Sequence, residues 1–342
     1  MERPLEKSKA KSLQRRIFFV HQGSRSFFDR DIEILKSAAE ITTFDNFPSS
    51  FQKTLEIFKK LPKCDLVYIW FMGKHAVLPL ILAKILKKRV ILVAGGWDVA
   101  NCPEIDYGLM RSSILRPILK KLFYLPDLIF SISNSNHQEL LHNVGVNQEK
   151  TRMIYLGLDD KRDSLSQKKE KIVITIGEVN QSNLKRKGLE NFVRAAGSLP
   201  DIPFVLIGQW AEDGAVDFLK NIATSNVLFT GHLSRQELDA WLRKATVYAQ
   251  LSYHEAFSCA VAEAMLHECV PVVTDRYALP EVVGDAGYLV PFGDLFKTVD
   301  AIKKALNDHG TGRRARERIL NIFPSEFRRQ KMASLIQNFS NA

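Results

Sequence analysis

Two glutamates with seven residues between them mark the part of the chain best suited to chemistry. Glu255 and Glu263 lie in the segment 254–271, which reads HEAFSCAVAEAMLHECVP, with Phe257 and Ser258 at a turn between them. Where such a turn enters a helix, unpaired backbone N–H groups and the positive end of the helix dipole attract an anion. The pattern predicts an anion site with one carboxylate at its mouth and another about two turns further along.

The second glutamate is expected to be largely buried. Its helix neighbours are all apolar or small: Ala260, Val261, Ala262, Ala264 and Met265. A buried carboxylate is costly without a partner, so we interpret Glu263 as a ligand-binding residue rather than as an exposed helical glutamate.

A basic cluster can supply the opposite charge. Residues 185–187 read KRK, and Lys187 stands just before Gly188 at the predicted start of a helix. A lysine at this place can neutralise a phosphate. The alternative is a group of solvated surface bases, but the glycine and the helix start favour phosphate binding.

The elements that must position these residues alternate between strand and helix. Strands are predicted at 17–20, 41–44, 65–72, 89–94, 128–133, 152–155, 172–176, 204–207, 227–229, 247–251, 270–274 and 287–290. Helices are predicted at 31–40, 54–61, 76–87, 111–124, 136–143, 189–199, 215–221, 234–244, 295–306 and 326–339. Continuous apolar strands that alternate with helices indicate parallel sheets covered on both faces, which bind ligands at the carboxyl ends of their strands.

The length of 342 residues indicates two domains rather than one. A polar stretch, 159–171, separates two similar α/β halves, and we expect a cleft between them. The predicted divisions are a basic tail at 1–16, a first domain at 17–165, a second domain at 166–323 and a C-terminal helix at 324–342 that packs back on the first domain.

Charge and cysteine content narrow the class of protein. The formal net charge of +10 suits an acidic partner such as phosphate, nucleic acid or an anionic membrane. The four cysteines have no metal-ligand spacing, so no metal site is predicted and a reduced, cytoplasmic protein is expected. The most apolar stretch, 66–86, contains Lys74 and Lys84 and is split by Gly73 and Pro79, which indicates a strand and a helix rather than a membrane span.

The second half of the chain resembles the donor domain of the retaining glycosyltransferases of family 4, which have the GT-B fold of two facing Rossmann-like domains. The resemblance covers residues 172–295 and rests on an ordered set of motifs, each weak alone and specific together. They are Gly177, Lys187-Gly188, Val205–Gly208, Phe229-Thr230-Gly231-His232-Leu233, Glu255-Ala256-Phe257-Ser258, Glu263-Ala264-Met265, Pro271-Val272-Val273 and residues 280–287. The first half shows the resemblance in its alternation of strands and helices, in Gly23, and in residues 134–136 and 155–159.

The resemblance implies a role for each candidate residue. As catalytic residues, Glu255 would stabilise an oxocarbenium-like centre and Lys187 would neutralise the departing diphosphate, while Glu263 would hold the ribose hydroxyls. The other implied donor-binding residues are Gly177, Arg186, Gly231, His232, Leu233, Phe257, Ser258 and Cys259. No cofactor is expected beyond the nucleotide-diphosphate sugar, which is a substrate, and the lack of an Asp-x-Asp motif at a strand end agrees with metal-independent transfer.

Two candidates come from the first half. Asp98, after Gly95-Gly96, is a candidate catalytic residue that would contact the acceptor hydroxyl or the transferred sugar. Gly23 would let the loop after the first strand approach the donor closely.

Two positions depart from the family. Glu178 stands where the family often has an arginine on the diphosphate, and Arg186 is the candidate substitute. The helix of Glu263 also lacks the glycine that usually ends it before Pro271, so it must stop by another device.

The predicted function is that of a retaining glycosyltransferase that moves a hexose from a nucleotide-diphosphate sugar to an acceptor hydroxyl, such as that of a glycolipid or polysaccharide precursor. The alternatives are a non-catalytic protein of the same fold that binds a nucleotide, nucleic acid or membrane, and a sugar-nucleotide epimerase. Nucleic acid is not the expected partner.

The basic, amphipathic segment 111–124 bears on the acceptor. It is either a surface helix packed on the sheet or an interfacial helix that rests on anionic lipid at the inner face of a membrane. The second reading predicts a lipid-linked acceptor and a peripheral membrane contact.

Overall fold

A computed structural model gives the structure of residues 15–45, 50–160 and 168–339. The predicted basic tail up to residue 14 and the middle of the predicted linker, 161–167, lie outside the described residues. Residues 15 and 16, which were assigned to the tail, instead begin the first strand.

The first half alternates strands and helices as predicted. Its strands are β1 (Arg15–His21), β2 (Ala39–Asp45), β3 (Leu66–Trp70), β4 (Arg89–Ala94), β5 (Leu128–Ser131) and β6 (Thr151–Met153). Its helices are α1 (Ser26–Lys36), α2 (Phe51–Lys60), α3 (Lys74–Ile85), α4 (Leu115–Phe123) and α5 (Asn134–Glu139), and a π-helical turn at Leu140–Val144 continues α5.

The second half repeats the pattern. Its strands are β7 (Glu170–Ile176), β8 (Phe204–Ile207), β9 (Val227–Gly231), β10 (Ala245–Gln250), β11 (Val270–Thr274) and β12 (Tyr288–Val290). Its helices are α6 (Gln181–Arg186), α7 (Leu189–Gly197), α8 (Ala215–Ile222), α9 (Arg235–Lys244), α10 (Cys259–Leu266), α11 (Leu279–Val283), α12 (Leu295–Leu306), α13 (Thr311–Ile322) and α14 (Ser325–Phe339).

Each half forms a six-stranded sheet, which confirms the predicted α/β class with parallel sheets. The strand orders are β2-β1-β3-β4-β5-β6 and β12-β11-β10-β7-β8-β9. In the second sheet, β7 pairs in parallel with both β8 and β10, so the order along the chain reverses between β7 and β10. The crevice outside the carboxyl ends of two such strands is where open α/β sheets bind their ligands.

The strands form the cores, because their apolar runs are covered on both faces. All five residues of β3 and all five of β11 are buried. In the second half, a cluster of buried side chains joins β7, β8 and β10 to α7 and α12 through residues such as Val173, Phe192, Phe204, Val247 and Ile302. A rigid sheet of this kind fixes the loops at its edge, which is where the candidate residues lie.

The boundaries of two predicted helices are wrong. The helix predicted at 31–40 is α1, which ends at Lys36 because Ala39 and Glu40 pair with β1. The helix predicted at 111–124 begins only at Leu115 in α4. Pro117 then lies in the first turn, where the N–H that it lacks has no intrahelical acceptor. Helices α6, α11 and α13 were not predicted.

Two predicted helix caps are confirmed. The carboxylate of Asp294 accepts the N–H of Lys297 at the start of α12. Ser234 and Glu237 form a reciprocal capping box at the start of α9. Local side-chain chemistry therefore fixes where these helices begin, as the sequence indicated.

Contacts between Cα atoms divide the chain into two compact units. One contains the described residues of Met1–Val93, Lys121–Ile129 and Lys331–Ala342, and the other contains those of Ala94–Lys120 and Phe130–Gln330. Every candidate residue except Gly23 lies in the second unit. Among the described residues, no helix combines the length and the apolarity needed to cross a bilayer.

Candidate active site

Lys187 and Glu255 form a buried ion pair. The Nζ atom of Lys187 lies 2.8 Å from Oε1 of Glu255, and the two side chains are 17% and 10% exposed. Lys187 follows α6, and Glu255 lies in the loop after β10. The structure therefore brings together the two catalytic candidates that the resemblance had named separately.

A chain of buried polar side chains holds the carboxylate of Glu255. Ser252 donates its hydroxyl to Oε1 of Glu255 at 3.0 Å, and the amide of Gln250 donates to both Ser252 and Oε1. Tyr248 in turn donates to the amide oxygen of Gln250. These residues were not predicted from the sequence, although Gln250 and Ser252 are polar side chains at the end of an apolar strand.

These contacts keep Glu255 ionised. Burial alone would raise the pKa of its carboxyl group, but the nearby charges of Lys187 and Arg186 and the hydrogen bonds from Lys187 and Ser252 outweigh it and hold the pKa below its usual value. At neutral pH the site presents a carboxylate of fixed orientation, able to stabilise positive charge on a bound ligand.

Glycines let the elements around this pair approach closely. A Cβ atom at Gly188 would lie 2.0 Å from the carbonyl oxygen of Leu251, just after β10, and Gly188 also has a φ of +65°. A Cβ at Gly177, just after β7, would lie 3.4 Å from Cδ of Lys187. Because Gly188 has no side chain, the chain can pack against Leu251, and Lys187 then lies next to the loop of Glu255.

The turn between the two glutamates is strained. Ser258 precedes α10 with a φ of +73°, a left-handed conformation that costs a non-glycine residue about 1–2 kcal/mol. Phe257 is 2% exposed and packs against Tyr155 and Phe323. Phe257 therefore anchors the turn, and Cys259, half-buried, is the first residue of the helix that follows.

Glu263 has a cationic partner that the sequence analysis missed. The Nη1 atom of Arg235 lies 3.0 Å from Oε2 of Glu263, whose side chain is 13% exposed. Arg235 is the first residue of α9, where the helix dipole disfavours positive charge. An arginine at such an unfavourable position indicates a nearby acidic partner, so the sequence could have indicated this ion pair.

Arg186 lies beside the same site. Its guanidinium group donates to Oδ1 of Asn183 and stacks over the ring of Tyr107, with Cζ 5.1 Å from the ring centroid. Its charge also lowers the pKa of Glu255. Whether Arg186 substitutes for the family's arginine on the diphosphate stays a prediction.

The loop of Asp98 packs against the loop of Glu255. A Cβ at Gly96 would lie 2.7 Å from Cβ of Ala256. Asp98 is fully buried, and its Oδ1 atom accepts the backbone N–H groups of Gly95 and Gly96 at 3.0 Å each. Asp98 thus shapes its own loop, and its proposed contact with acceptor or sugar stays a prediction.

The structure explains how α10 ends without glycine. Glu268 has a φ of +61°, the left-handed conformation that glycine usually supplies. Its N–H bonds the carbonyl of Met265, and the N–H of Cys269 bonds the carbonyl of Ala264. These two bonds are the Schellman arrangement, so the helix stops by the common device with an uncommon residue.

The remaining candidates are more dispersed. Gly231 ends β9 with a φ of +73° next to the Trp210 ring, and it is followed by the exposed His232 and the half-buried Leu233. Gly23 lies in the other unit, has a φ of +71°, and donates its N–H to Asp45. None of these contacts assigns a ligand to them.

A third glutamate ties two distant motifs together. The carboxylate of Glu281 accepts the N–H groups of Asn134 and Ser135, which begin α5, and the hydroxyl of Tyr155. A negative charge at a helix N-terminus is stabilised by the helix dipole. All three stretches carry the resemblance in sequence, but the resemblance gave Glu281 no role.

Comparison with known sequences finds a family match in the second half of the chain. Residues 158–321 match the sequence model described as "Glycosyl transferases group 1". The predicted resemblance is confirmed at the level of that group, and the narrower assignment to family 4 stays a prediction.

Two curated relatives match part of the chain. MMP alpha-(1->4)-mannosyltransferase of Mycolicibacterium hassiacum is 29% identical over 170 residues, which is 48% of this chain and 40% of the relative's length. Alpha-galactosylglucosyldiacylglycerol synthase of Streptococcus pneumoniae is 25% identical over 278 residues, 76% of this chain and 67% of the relative. The match therefore spans less than half the length of the first relative.

The likeness in fold covers more of the chain than the sequence match does. HepE of Anabaena, solved in complex with UDP and glucose, superimposes with a TM-score of 0.78 over 95% of this chain and 100% of that chain, at 18% identity. At this identity the likeness shows the fold, and it confirms the predicted GT-B type.

Proposed function

Because residues 158–321 match the group 1 glycosyl transferases, we propose that this protein is a retaining glycosyltransferase that moves a hexose from a nucleotide-diphosphate sugar to an acceptor hydroxyl. The observation that carries the proposal is the buried pair of Lys187 and Glu255 beside the carboxyl ends of β7 and β10. A cation and a carboxylate stand together where such a sheet binds its ligand.

The pair fits the charges that develop when a sugar leaves a diphosphate. As the bond from the sugar's anomeric carbon to the phosphate oxygen breaks, negative charge grows on the diphosphate and positive charge grows on the sugar. Lys187 stabilises the first charge and the ionised Glu255 the second. In the bound complex the ammonium group of Lys187 donates hydrogen bonds to the phosphate as well as to Glu255.

The anomeric configuration is retained because the acceptor hydroxyl attacks the same face of the sugar that the diphosphate leaves. The acceptor oxygen bonds to the anomeric carbon, and its proton passes to the departing phosphate oxygen. In this scheme Glu255 remains an electrostatic stabiliser, so a covalent glycosyl-enzyme intermediate is unnecessary. The arrangement of Arg235 and Glu263 supports a ribose site, since two adjacent hydroxyls can replace the guanidinium group on the carboxylate.

We propose that the acceptor is presented at an anionic membrane. Helix α4 buries Leu119 and Phe123, but Ile114, Leu115 and Ile118 are 78%, 46% and 56% exposed. Exposed aliphatic side chains next to lysines and arginines are typical of a helix that lies at a lipid surface. The name of the Streptococcus relative, a diacylglycerol glycolipid synthase, points to an acceptor of the same class.

A panel of UDP-, GDP- and ADP-hexoses tests the donor side. One nucleotide series should raise the melting temperature of the protein, and the same series should release nucleoside diphosphate with candidate glycolipid acceptors. The anomeric configuration of the product, read by NMR, tests retention. Salt-dependent RNA binding without any response to nucleotide sugars would overturn the proposal in favour of a non-catalytic binding protein.

Sedimentation with vesicles tests the membrane side. Wild-type protein should bind vesicles that contain phosphatidylglycerol, and Ile114→Ser with Ile118→Ser should remove that binding. Phe296→Ser is the matched control, because Phe296 is 83% exposed but lies on α12. Equal loss in the control variant, or no binding by the wild type at low salt, would contradict the proposal.

A further inference from the structure

Three side chains with metal-binding chemistry meet near the loop of Glu255. Cys102 lies in the segment after β4, Glu139 ends α5, and His254 immediately precedes Glu255. One donor atom from each lies within 4.8 Å of the other two. The three residues are 1%, 9% and 0% exposed, so the cluster is shielded from bulk water.

The hydrogen bonds within this cluster leave donor atoms unused. An imidazole nitrogen of His254, Nε2, lies 2.9 Å from Oε1 of Glu139, and the sulfur of Cys102 lies 3.2 Å from the hydroxyl of Tyr277. Within the part of the chain that the structure describes, His254 Nδ1 and Glu139 Oε2 are buried without a partner. Buried polar atoms are rarely left unsatisfied, and an ion or a water molecule is the usual explanation.

The surroundings favour an ion over water. The rings of Tyr107 and Tyr277 pack against His254, with centroids 5.0 and 4.3 Å from the imidazole. Cys102 also belongs to a small apolar cluster with Ala100 and Tyr253. In such a dry environment, opposite charges attract strongly and a stray uncompensated carboxylate is costly.

We propose that Cys102, Glu139 and His254 bind a single Zn²⁺ ion. Thiolate, imidazole and carboxylate are the ligands that zinc prefers in proteins. On binding, the Cys102 thiol gives its proton to solvent, and the thiolate and the Glu139 carboxylate together neutralise the two charges of the ion. The site would thereby become electrically neutral, as its burial requires.

The geometry needs only small side-chain movements. Zinc bonds of about 2.0–2.3 Å place tetrahedral ligand atoms about 3.3–3.8 Å apart, so the widest spacing in the cluster must close by about 1 Å. The hydroxyl of Tyr277, 3.2 Å from the sulfur of Cys102, is a candidate for the fourth position. The ion would be structural, because it would join the segment of Cys102 and helix α5 to the loop of Glu255.

Metal content of the purified wild-type protein is the first test. Protein purified without chelators should contain about one zinc ion per chain. After removal of the zinc, titration with Co²⁺ should give the absorption band of a cobalt–thiolate bond, a signature that requires a cysteine ligand. No cobalt–thiolate band and less than about a tenth of a zinc equivalent would overturn the proposal.

Matched variants then locate the ion. Cys102→Ser, Glu139→Gln and His254→Gln should each lose most of the zinc, and Cys102→Ser should also lose the cobalt–thiolate band. Cys64→Ser, at another buried cysteine, and His142→Gln, at an exposed histidine just after α5, should retain both. Circular dichroism confirms that each variant is folded before its metal is measured. If Cys64→Ser loses the zinc and Cys102→Ser keeps it, the ion is not bound at the proposed site.

Discussion

Glu255 lies in the loop before α10 and Glu263 lies on that helix, and their ion pairs differ in burial. In the Lys187–Glu255 pair the side chains are 17% and 10% exposed, whereas in the Arg235–Glu263 pair they are 54% and 13% exposed. Charges interact more strongly where water is excluded, and exposed pairs are screened. The buried pair is therefore suited to stabilising charge during a reaction, and the exposed pair to releasing its carboxylate to a ligand.

Removing the cation of the buried pair should have the largest effect. Lys187→Ala should lower kcat/KM by about 10²–10³-fold, because the variant loses the charge that would neutralise the departing diphosphate and that pairs with Glu255. Nucleoside diphosphate release measures it. Lys185→Ala, at an exposed neighbour in the same cluster, is the control and should remain active. Full activity in Lys187→Ala would remove Lys187 from the mechanism.

The glycine that lets the buried pair form should matter for stability. Gly188→Ala should lower the free energy of unfolding by about 3 kcal/mol, since a Cβ there would lie 2.0 Å from the Leu251 oxygen at a φ of +65°. Urea unfolding measures the change. Gly214→Ala is the matched control: its φ is +79°, but nothing lies within 4 Å of the added Cβ. It should cost only about 1 kcal/mol of backbone strain.

The exposed pair should affect binding rather than chemistry. Glu263→Gln should raise the donor KM about tenfold with little change in kcat, because a hydrogen bond to a charged group is lost equally in the ground and transition states. Initial rates across donor concentrations separate the two parameters. A fall in kcat at unchanged KM would show that Glu263, like Glu255, acts on the transition state.

Acid should remove the contribution of the buried pair. The folded-state pKa of Glu255 is lowered, so its stabilising effect is complete above the unfolded value of about 4.3 and is lost as the pH falls through the lower folded value. Wild type should therefore melt higher than Glu255→Gln at pH 7, and the gap should close at acid pH. Melting curves from pH 7 to pH 3 check this, and a gap independent of pH would contradict it.

The smallest effect should come from the cation of the exposed pair. Arg235→Ala should change the free energy of unfolding by less than about 1 kcal/mol, because solvent and salt screen its charge. Thermal melts at low and high salt measure the change. A loss as large as that in Gly188→Ala would mean that the two pairs do not differ as their burial indicates.

Most of the fold could be predicted because it depends on local patterns. Apolar runs and helical spacing located every strand of both sheets, and Asp294 and Ser234 marked helix starts through their side chains. The errors arose where tertiary pairing overrides local preference, as at Ala39, which joins β2 instead of continuing a helix. Helix α13 was missed because its sequence, TGRRARERILNI, is mostly polar.

The candidate site was only partly predictable. The motifs identified both glutamates and Lys187, but not Arg235, Ser252 or Gln250, which are ordinary polar residues until the fold places them against a carboxylate. The missing glycine at the end of α10 was recognised as a departure. Its replacement by Glu268 in a left-handed conformation could not be foreseen, because a backbone angle in a glutamate leaves no mark in the sequence.

By itself, the sequence determined the order of the strands, the turn between two glutamates and the resemblance of the second half to the group 1 glycosyl transferases, since each of these depends on neighbours along the chain. Only the tertiary structure decided which charges meet. Lys187 and Glu255 are 68 residues apart, and Glu139 and His254 are 115 apart. The Lys187–Glu255 pair forms because the strand order places the carboxyl ends of β7 and β10 side by side, and hydrophobic periodicity does not specify that order.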